Sequence, residues 1–257
     1  MTALLALDGL HKRFGGVTVI DGLSTELHEG EVLGIVGPNG AGKTTLFNLI
    51  SGELAPDAGT VTFDGRDITA ARVSTRCRAG IGRTHQMPLP FSGMTVFENV
   101  LVGAAHGAGR RKRAAYGACE RVLALTGLAG RANTAAGNLG LLDRKRLEMA
   151  RALATEPRLL LLDEVAGGLT DPEVAELVAT VRAVHNEGVA IIWIEHIVHA
   201  LTSVVGRLLC IAAGRVLADG DPVAVMASPQ VRQVYLGNID LPPGPGNASG
   251  GAGEDTP

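Results

Sequence analysis

The chain has 257 residues, a net charge of −3 and an isoelectric point near 6.2, so it carries no strong field for nucleic acid or anionic lipid. Apolar residues make up 46% and the mean hydropathy is +0.23, yet no apolar run approaches the ~18–20 residues that span a bilayer. Part of so apolar a surface is expected to lie against a partner. The N-terminus Met1-Thr2-Ala3-Leu4 lacks a signal peptide's basic flank and cleavage site. Three cysteines, Cys77, Cys119 and Cys210, fit neither a zinc site nor a disulfide framework and read as small, neutral thiols of a reducing compartment.

Short strands separated by turns are predicted at the start: Leu4–Leu7, Val17–Ile20, Ser24–Leu27 and Val32–Val36. The turn Lys12-Arg13-Phe14-Gly15-Gly16 carries an aromatic, Phe14, that can stack on a base or serve as an ordinary core residue. Then comes Gly37-Pro38-Asn39-Gly40-Ala41-Gly42-Lys43-Thr44-Thr45, which fits the phosphate-loop pattern G-x-x-x-x-G-K-S/T. Its flanks suit the motif. Glu31–Val36 reads as a buried strand, and Thr45–Ile50 places apolar residues at helical spacing until Ser51-Gly52 stops it. Strand, glycine turn and helix N-terminus aim backbone N–H groups and a positive dipole end at one point, where a triphosphate fits. Lys43 would reach the β- and γ-phosphates, and the Thr44 hydroxyl would ligate Mg²⁺.

Pro56–Gly59 reads as a turn, Thr60–Phe63 as a strand and Asp64-Gly65 as a hairpin-like connection. Beyond Ile81–Gln86, the prolines of Met87-Pro88-Leu89-Pro90-Phe91 exclude regular helix and mark a boundary. From Thr95 to about Thr155 the pattern is mostly helical, over Val96–Val102, Ala114–Leu125 and Arg144–Ala154, which outlines a helical subdomain. The cationic run Arg110–Arg113 inside it reads as a solvated helix start or loop, with lipid headgroup contact as the alternative.

Arg158-Leu159-Leu160-Leu161-Leu162-Asp163-Glu164 suits a strand buried on both faces of a parallel sheet, delivering two carboxylates to its C-terminal end. Beside a phosphate loop, the first can hold Mg²⁺ and the second can polarise an attacking water. Gly188–Ile194 is another buried strand, ending in Glu195-His196, and a histidine there would lie near the phosphates. Leu208–Ala212 and Val216–Asp219 form a hairpin, and Val223–Met226 and Val231–Leu236 close the fold as short helices. Residues 242–257, rich in proline, glycine, alanine and acid, form a disordered tail.

These residues in this order resemble the ATP-binding subunits of ABC transporters, from about Leu4 to Gly237. Lys12–Gly16, Gly93–Val100, Arg146–Leu153 and Val234–Gly237 are similar to the branched-chain (hydrophobic) amino-acid importer group. The resemblance implies an α/β fold: a P-loop NTPase (RecA-like) core with a mainly parallel sheet, an N-terminal antiparallel β subdomain and an inserted α-helical subdomain. It places the ATPase domain over 1–241, with the helical insertion at approximately 87–155. It also implies that Phe14 stacks on adenine, that Gln86 touches Mg²⁺ or the attacking water, and that Gln86 opens the loop facing the membrane subunit. Asp163 becomes the Mg²⁺ carboxylate, Glu164 the general base and His196 the switch histidine at the γ-phosphate. ATP and Mg²⁺ are the implied cofactors. Implied partners are membrane permeases, a second ATPase chain and, indirectly, a substrate-binding protein; nucleic acid is not among them, and the location is the cytoplasmic face of the membrane. The alternative is a soluble ABC-type ATPase or a nucleotide-dependent regulatory module uncoupled from transport.

One motif departs. Where the family has a Leu-Ser-Gly-Gly-Gln-like signature, or a relative with tyrosine third, this chain has Leu139-Gly140-Leu141-Leu142-Asp143. The signature reaches across to ATP on the other subunit. Gly140 has no hydroxyl and Leu142 puts bulk where backbone should approach closely, although the amides of Leu142–Arg144 could still serve after a small shift. The departure suggests an asymmetric heterodimer. Gly167–Asp171 also departs, with Thr170 where many relatives carry aspartate, and is assigned no role.

Overall fold

The computed structural model of the chain describes residues 2–109 and 112–236. Arg110, Arg111, Gly237 and the 242–257 tail lie outside the described residues. Two sheets and two sets of helices make up the rest. Strands β1 (Leu5–Phe14), β2 (Val17–Leu27), β4 (Ala58–Phe63) and β5 (Arg66–Asp67) form an antiparallel sheet in the order β2-β1-β4-β5. The central sheet takes β3 (Val32–Val36), β6 (Ile81–Arg83), β7 (Leu159–Asp163), β8 (Ala190–Ile194), β9 (Arg207–Ala212) and β10 (Arg215–Gly220) in the order β10-β9-β3-β8-β7-β6. All of its pairings are parallel except the hairpin β9–β10.

The run of four leucines explains itself in this sheet. Leu159 and Leu161 face one core, with Ile35, Ile192, Ile194 and helix α1 (Lys43–Ser51), while Leu160 and Leu162 face another, with Trp193 and helix α6 (Asp171–Asn186). Alternate side chains point to opposite faces, and both faces are covered, so no polar position remains. All four leucines are fully buried. Helices α3 (Val96–Val102), α4 (Lys112–Leu125) and α5 (Leu141–Leu153) build a third core of their own around Val96, Val100, Leu123, Leu147 and Ala150. Helix α3 starts on a capping box: the Glu98 amide donates to Thr95 Oγ1, and Glu98 Oε2 accepts the Thr95 amide.

The fold departs locally from the sequence reading. β1 runs through to Phe14, so that residue ends a strand and the turn is only Gly15-Gly16; Val17–Ile20 and Ser24–Leu27 are one strand, bent by register shifts against β1. Helices α2 (Val73–Ala79), α6 and α7 (Val198–Thr202) lie in stretches to which the sequence reading assigned no element. Helices α8 (Pro222–Ala227) and α9 (Pro229–Leu236) follow β10. Among the described residues no helix is long and apolar enough to cross a membrane.

Candidate functional site

The parallel register levels three strand ends at one edge of the sheet. Ile35 pairs with Ile194, and Ile194 pairs with Asp163. The chain therefore leaves β3 into Gly37–Thr45, β8 into Glu195-His196 and β7 into Glu164 at the same height, where parallel sheets hold their ligands. β6 lies beside β7, with Arg83 opposite Leu161, and brings Gln86 to the same edge.

At Gly37 and Gly42 of the glycine loop, the surrounding backbone admits no larger residue. A Cβ on Gly37 would sit 2.1 Å from the Ile211 carbonyl oxygen; one on Gly42, at φ +101°, would sit 2.7 Å from the Val19 carbonyl oxygen. The loop is thus packed against β2 and β9, with Pro38, Asn39, Gly40 and Ala41 completing its turn, closed by Ala41 N–H donating to Pro38 O at 3.2 Å. Helix α1 starts at Lys43, so its first-turn amides, including those of Thr44 and Thr45, have no acceptor within the helix and face the loop's concavity. Lys43 curls over the loop: Nζ donates to the carbonyls of Gly37 at 2.7 Å and Pro38 at 3.0 Å. Burial pulls its ammonium below the usual lysine range, while Glu164 and Asp163 act in the opposite direction, which puts the lysine in the field of both carboxylates.

Asp163 is buried, and burial pushes its carboxyl up while Arg83 opposes that shift. The Arg83 guanidinium donates to Asp163 Oδ2 at 3.1 Å and to Asn48 Oδ1 at 2.6 Å, tying β6 to β7 and α1. Glu164 follows at φ +47°, a left-handed conformation that only four non-glycine residues share among those described. Its Oε2 accepts from the Gln86 side-chain amide, and its Oε1 lies 2.6 Å from His196 Nε2. Gln86, Glu164 and His196, from the segments that follow three different strands, therefore meet at one carboxylate. Phe14 stands apart on the β1–β2 hairpin, 48% exposed, with the Lys12 ammonium 5.7 Å from its ring centre. That exposure removes it from the core.

The residues fit a metal–triphosphate complex. Among the described residues no group of three or more His, Cys, Asp or Glu could hold a metal by itself. Mg²⁺ commonly takes one or two carboxylates and leaves its other positions to phosphates and water. A hydroxyl (Thr44), one carboxylate (Asp163) and an amide oxygen (Gln86) beside an anion cradle match that habit.

Leu139–Asp143 lies at the start of α5. Gly140 caps the helix with extended backbone and no side-chain bond, Leu141 is 42% exposed, and Leu142 packs on the core beneath. Asp143 sits in the first turn, 3.7 Å from Arg131 and 3.7 Å from Arg146. Three residues of the cleft have no role in the sequence reading: Arg83, Lys145 and Glu195. Lys145 had a signal, since it occupies the same helical stripe as the buried Glu148, Met149 and Ala152.

The chain matches the family model described as "ABC transporter" over residues 20–167, and that of "Branched-chain amino acid ATP-binding cassette transporter" over residues 215–240. It is similar to the high-affinity branched-chain amino acid transport ATP-binding protein LivG of Salmonella typhimurium, at 38% identity over 91% of this chain and 98% of that one. It is also similar to BraF, the corresponding high-affinity branched-chain amino acid transport protein of Pseudomonas aeruginosa, at 36% over 91% and 98%. A solved ADP conformation of an ABC transporter's ATP-binding cassette superposes with a TM-score of 0.86 at 29% identity, covering 92% of this chain and 100% of that one.

Proposed function

Because this chain belongs to the ABC transporter family, as one of its ATP-hydrolysing subunits, we propose that it powers an importer of branched-chain or similar hydrophobic amino acids. The observation that carries the catalytic reading is the convergence of Gln86 and His196 on the Glu164 carboxylate, with only β8 between its strand and the one that leads into the glycine loop. In this reading the amides of Gly37–Thr45 bind the phosphates, and Lys43 exchanges its two carbonyl partners for β- and γ-phosphate oxygens. Phe14, held on the exposed hairpin tip, stacks on adenine. Thr44, Asp163 and Gln86 would hold Mg²⁺, which when bound supplies positive charge to the phosphate oxygens. Glu164 takes a proton from the attacking water, and His196 orients that carboxylate and faces the γ-phosphate.

Residues 1–241 are read as one ATPase domain, with a helical unit inserted at approximately 87–155. Just beyond Gln86, Met87 is 72% exposed, Leu89 75% and Phe91 45%. They adjoin a cleft of about 270 Å³ lined by Glu53, His85, Val102, Glu148 and Arg151. Such an apolar rim beside a groove supports the docking of a permease segment there, which would hold the chain at the cytoplasmic face of the membrane. A substrate-binding protein acts only through the permease.

The start of α5 supports an asymmetric pair with a different ATPase chain. A serine hydroxyl is replaced by Gly140, an approach face by Leu141 and Leu142, and a carboxylate, Asp143, stands in the turn meant for an anion. Losing one hydrogen bond to a charged group is worth about 1.5–3 kcal/mol, or roughly one to two powers of ten in affinity. The site built from this chain's glycine loop and the partner's signature is then the faster one. Reconstitution with both ATPase chains and the permeases tests this: ATPase stimulated by branched-chain amino acids, with nucleotide trapping at each site in turn. Equal hydrolysis at the two sites overturns the asymmetry, and stimulation by other solutes alone overturns the substrate.

A further inference from the structure

Two buried charged side chains flank the cleft and meet Gln86, Glu164 and His196 only at their backbone groups, not at the side chains assigned above to metal, water and phosphate. Lys145, on α5, is 4% exposed, and its Nζ donates to the carbonyl oxygens of Gln86 at 2.9 Å and Glu164 at 3.3 Å. Glu195, at the end of β8, is 2% exposed; its Oε1 accepts the Ala166 amide at 2.6 Å and its Oε2 the His196 amide at 3.1 Å. Glu164 is therefore gripped from both sides, at its own carbonyl and at the amide two residues on. Its own amide is fixed as well, donating to Ile194 O at 2.9 Å.

These contacts fall on a residue that needs them. A non-glycine residue in the left-handed region costs about 1–3 kcal/mol and persists only where its surroundings over-determine it. Neither charge is cheap to bury: burial pulls the Lys145 ammonium down and pushes the Glu195 carboxyl up. Apolar residues of similar size would serve packing alone at least as well.

We propose that Lys145 and Glu195 are positioning residues that clamp the Glu164 backbone in its left-handed conformation and so aim its carboxylate. The clamp rests on the reading of Glu164 as general base. Neither side chain is placed on nucleotide or metal, and Lys145 meets Gln86 only at its carbonyl, so the clamp acts chiefly on turnover. Glu195 also fixes the backbone of His196, so one carboxylate joins the two segments that meet at the Glu164 side chain.

The test uses the full-length chain reconstituted with its second ATPase chain, with steady-state ATPase and titration of a fluorescent ATP analogue. Lys145→Met should lower kcat about 10- to 100-fold, the penalty expected of a misaimed catalytic group, while KM and analogue affinity stay within about twofold. Glu195→Gln keeps one acceptor oxygen and should lose less. In a Glu164→Gln background neither change should reduce the residual rate further, because both act through the same group. A loss that multiplies in that background, or a rise in KM with kcat unchanged, overturns the clamp. Wild-type kcat in both Lys145→Met and Glu195→Gln, with Glu164→Gln inactive, overturns the clamp and leaves the general base standing. An active Glu164→Gln removes the base and its clamp together. Should Lys145→Met not fold, the near-isosteric Glu195→Gln carries the same comparison.

Discussion

Arg83→Met breaks the ion pair that holds the Asp163 carboxylate against β6. In the pair Arg83–Asp163 the side chains are 9% and 5% exposed, with a nitrogen–oxygen separation of 3.1 Å. Methionine keeps the aliphatic packing on Phe47, whose ring lies 5.7 Å from the guanidinium carbon, but strands the carboxylate without its cation. Removing one partner of a buried pair typically costs about 3–5 kcal/mol. At about 2–4 °C per kcal/mol for a domain of this size, the unfolding midpoint of the nucleotide-free, Mg²⁺-free protein should fall by roughly 6–20 °C. The bonds from Arg83 to Asn48, Ser51 and Glu53 are lost too, so the single variant does not identify the cause. A second variant does. Arg83→Met combined with Asp163→Asn removes the stranded charge and should recover about 1–3 kcal/mol of the loss. Thermal unfolding by circular dichroism or calorimetry reads both. A double variant no more stable than Arg83→Met alone would refute the reasoning and assign the loss to packing and the α1 contacts.

The remaining predictions address single links. Glu164→Gln should lower steady-state ATPase by about 10²–10⁴-fold with nucleotide affinity retained, and more than half of wild-type turnover would remove Glu164 from the mechanism. Lys43→Ala should instead weaken binding itself, seen as a right-shifted titration with a fluorescent ATP analogue. At pH 8 a disulfide reagent should label Cys77, which is half-buried, in the native protein. Cys119 and Cys210 are buried, and burial pushes the Cys210 thiol up to about 11, so both should react only on unfolding. The sign is simple: a thiol pKa above the working pH leaves little thiolate. Thr95→Ala removes the cap of α3 and should lower the unfolding midpoint by about 2–4 °C, from roughly 1 kcal/mol of lost capping.

What the sequence made legible is what short-range rules govern. A glycine turn between a buried strand and a helix has one physical use at Gly37–Thr45, and four adjacent leucines ending in two acids demand a sheet covered on both faces. The antiparallel sheet was visible only in fragments: the bulged register of β1 on β2 breaks the alternation that marks a strand, so Phe14 read as a turn residue. Helix α6 has no counterpart in the sequence reading, although Val174, Leu177, Val178 and Val181 fall at helical spacing.

The site residues that went unread, Arg83, Lys145 and Glu195, share a property. Each is charged, each is buried or nearly so, and each finds its partner far along the chain: Arg83 meets Asp163 80 positions away, Lys145 meets Gln86 59 away, and Glu195 meets Ala166 29 away. Sequence patterns treat a charge as a solvated face, and that rule fails only when tertiary structure supplies the compensating group. The phosphate loop can be local because its ligand is an anion that backbone amides recognise. The carboxylates cannot be, because a base held in a left-handed conformation must be supported by contacts from other strands and helices. The division of labour in the cleft follows: the phosphates meet one contiguous stretch, Gly37–Thr45, whereas the supports of the Glu164 backbone come from α5 and β8, so Lys145→Met and Glu195→Gln should change turnover far more than affinity.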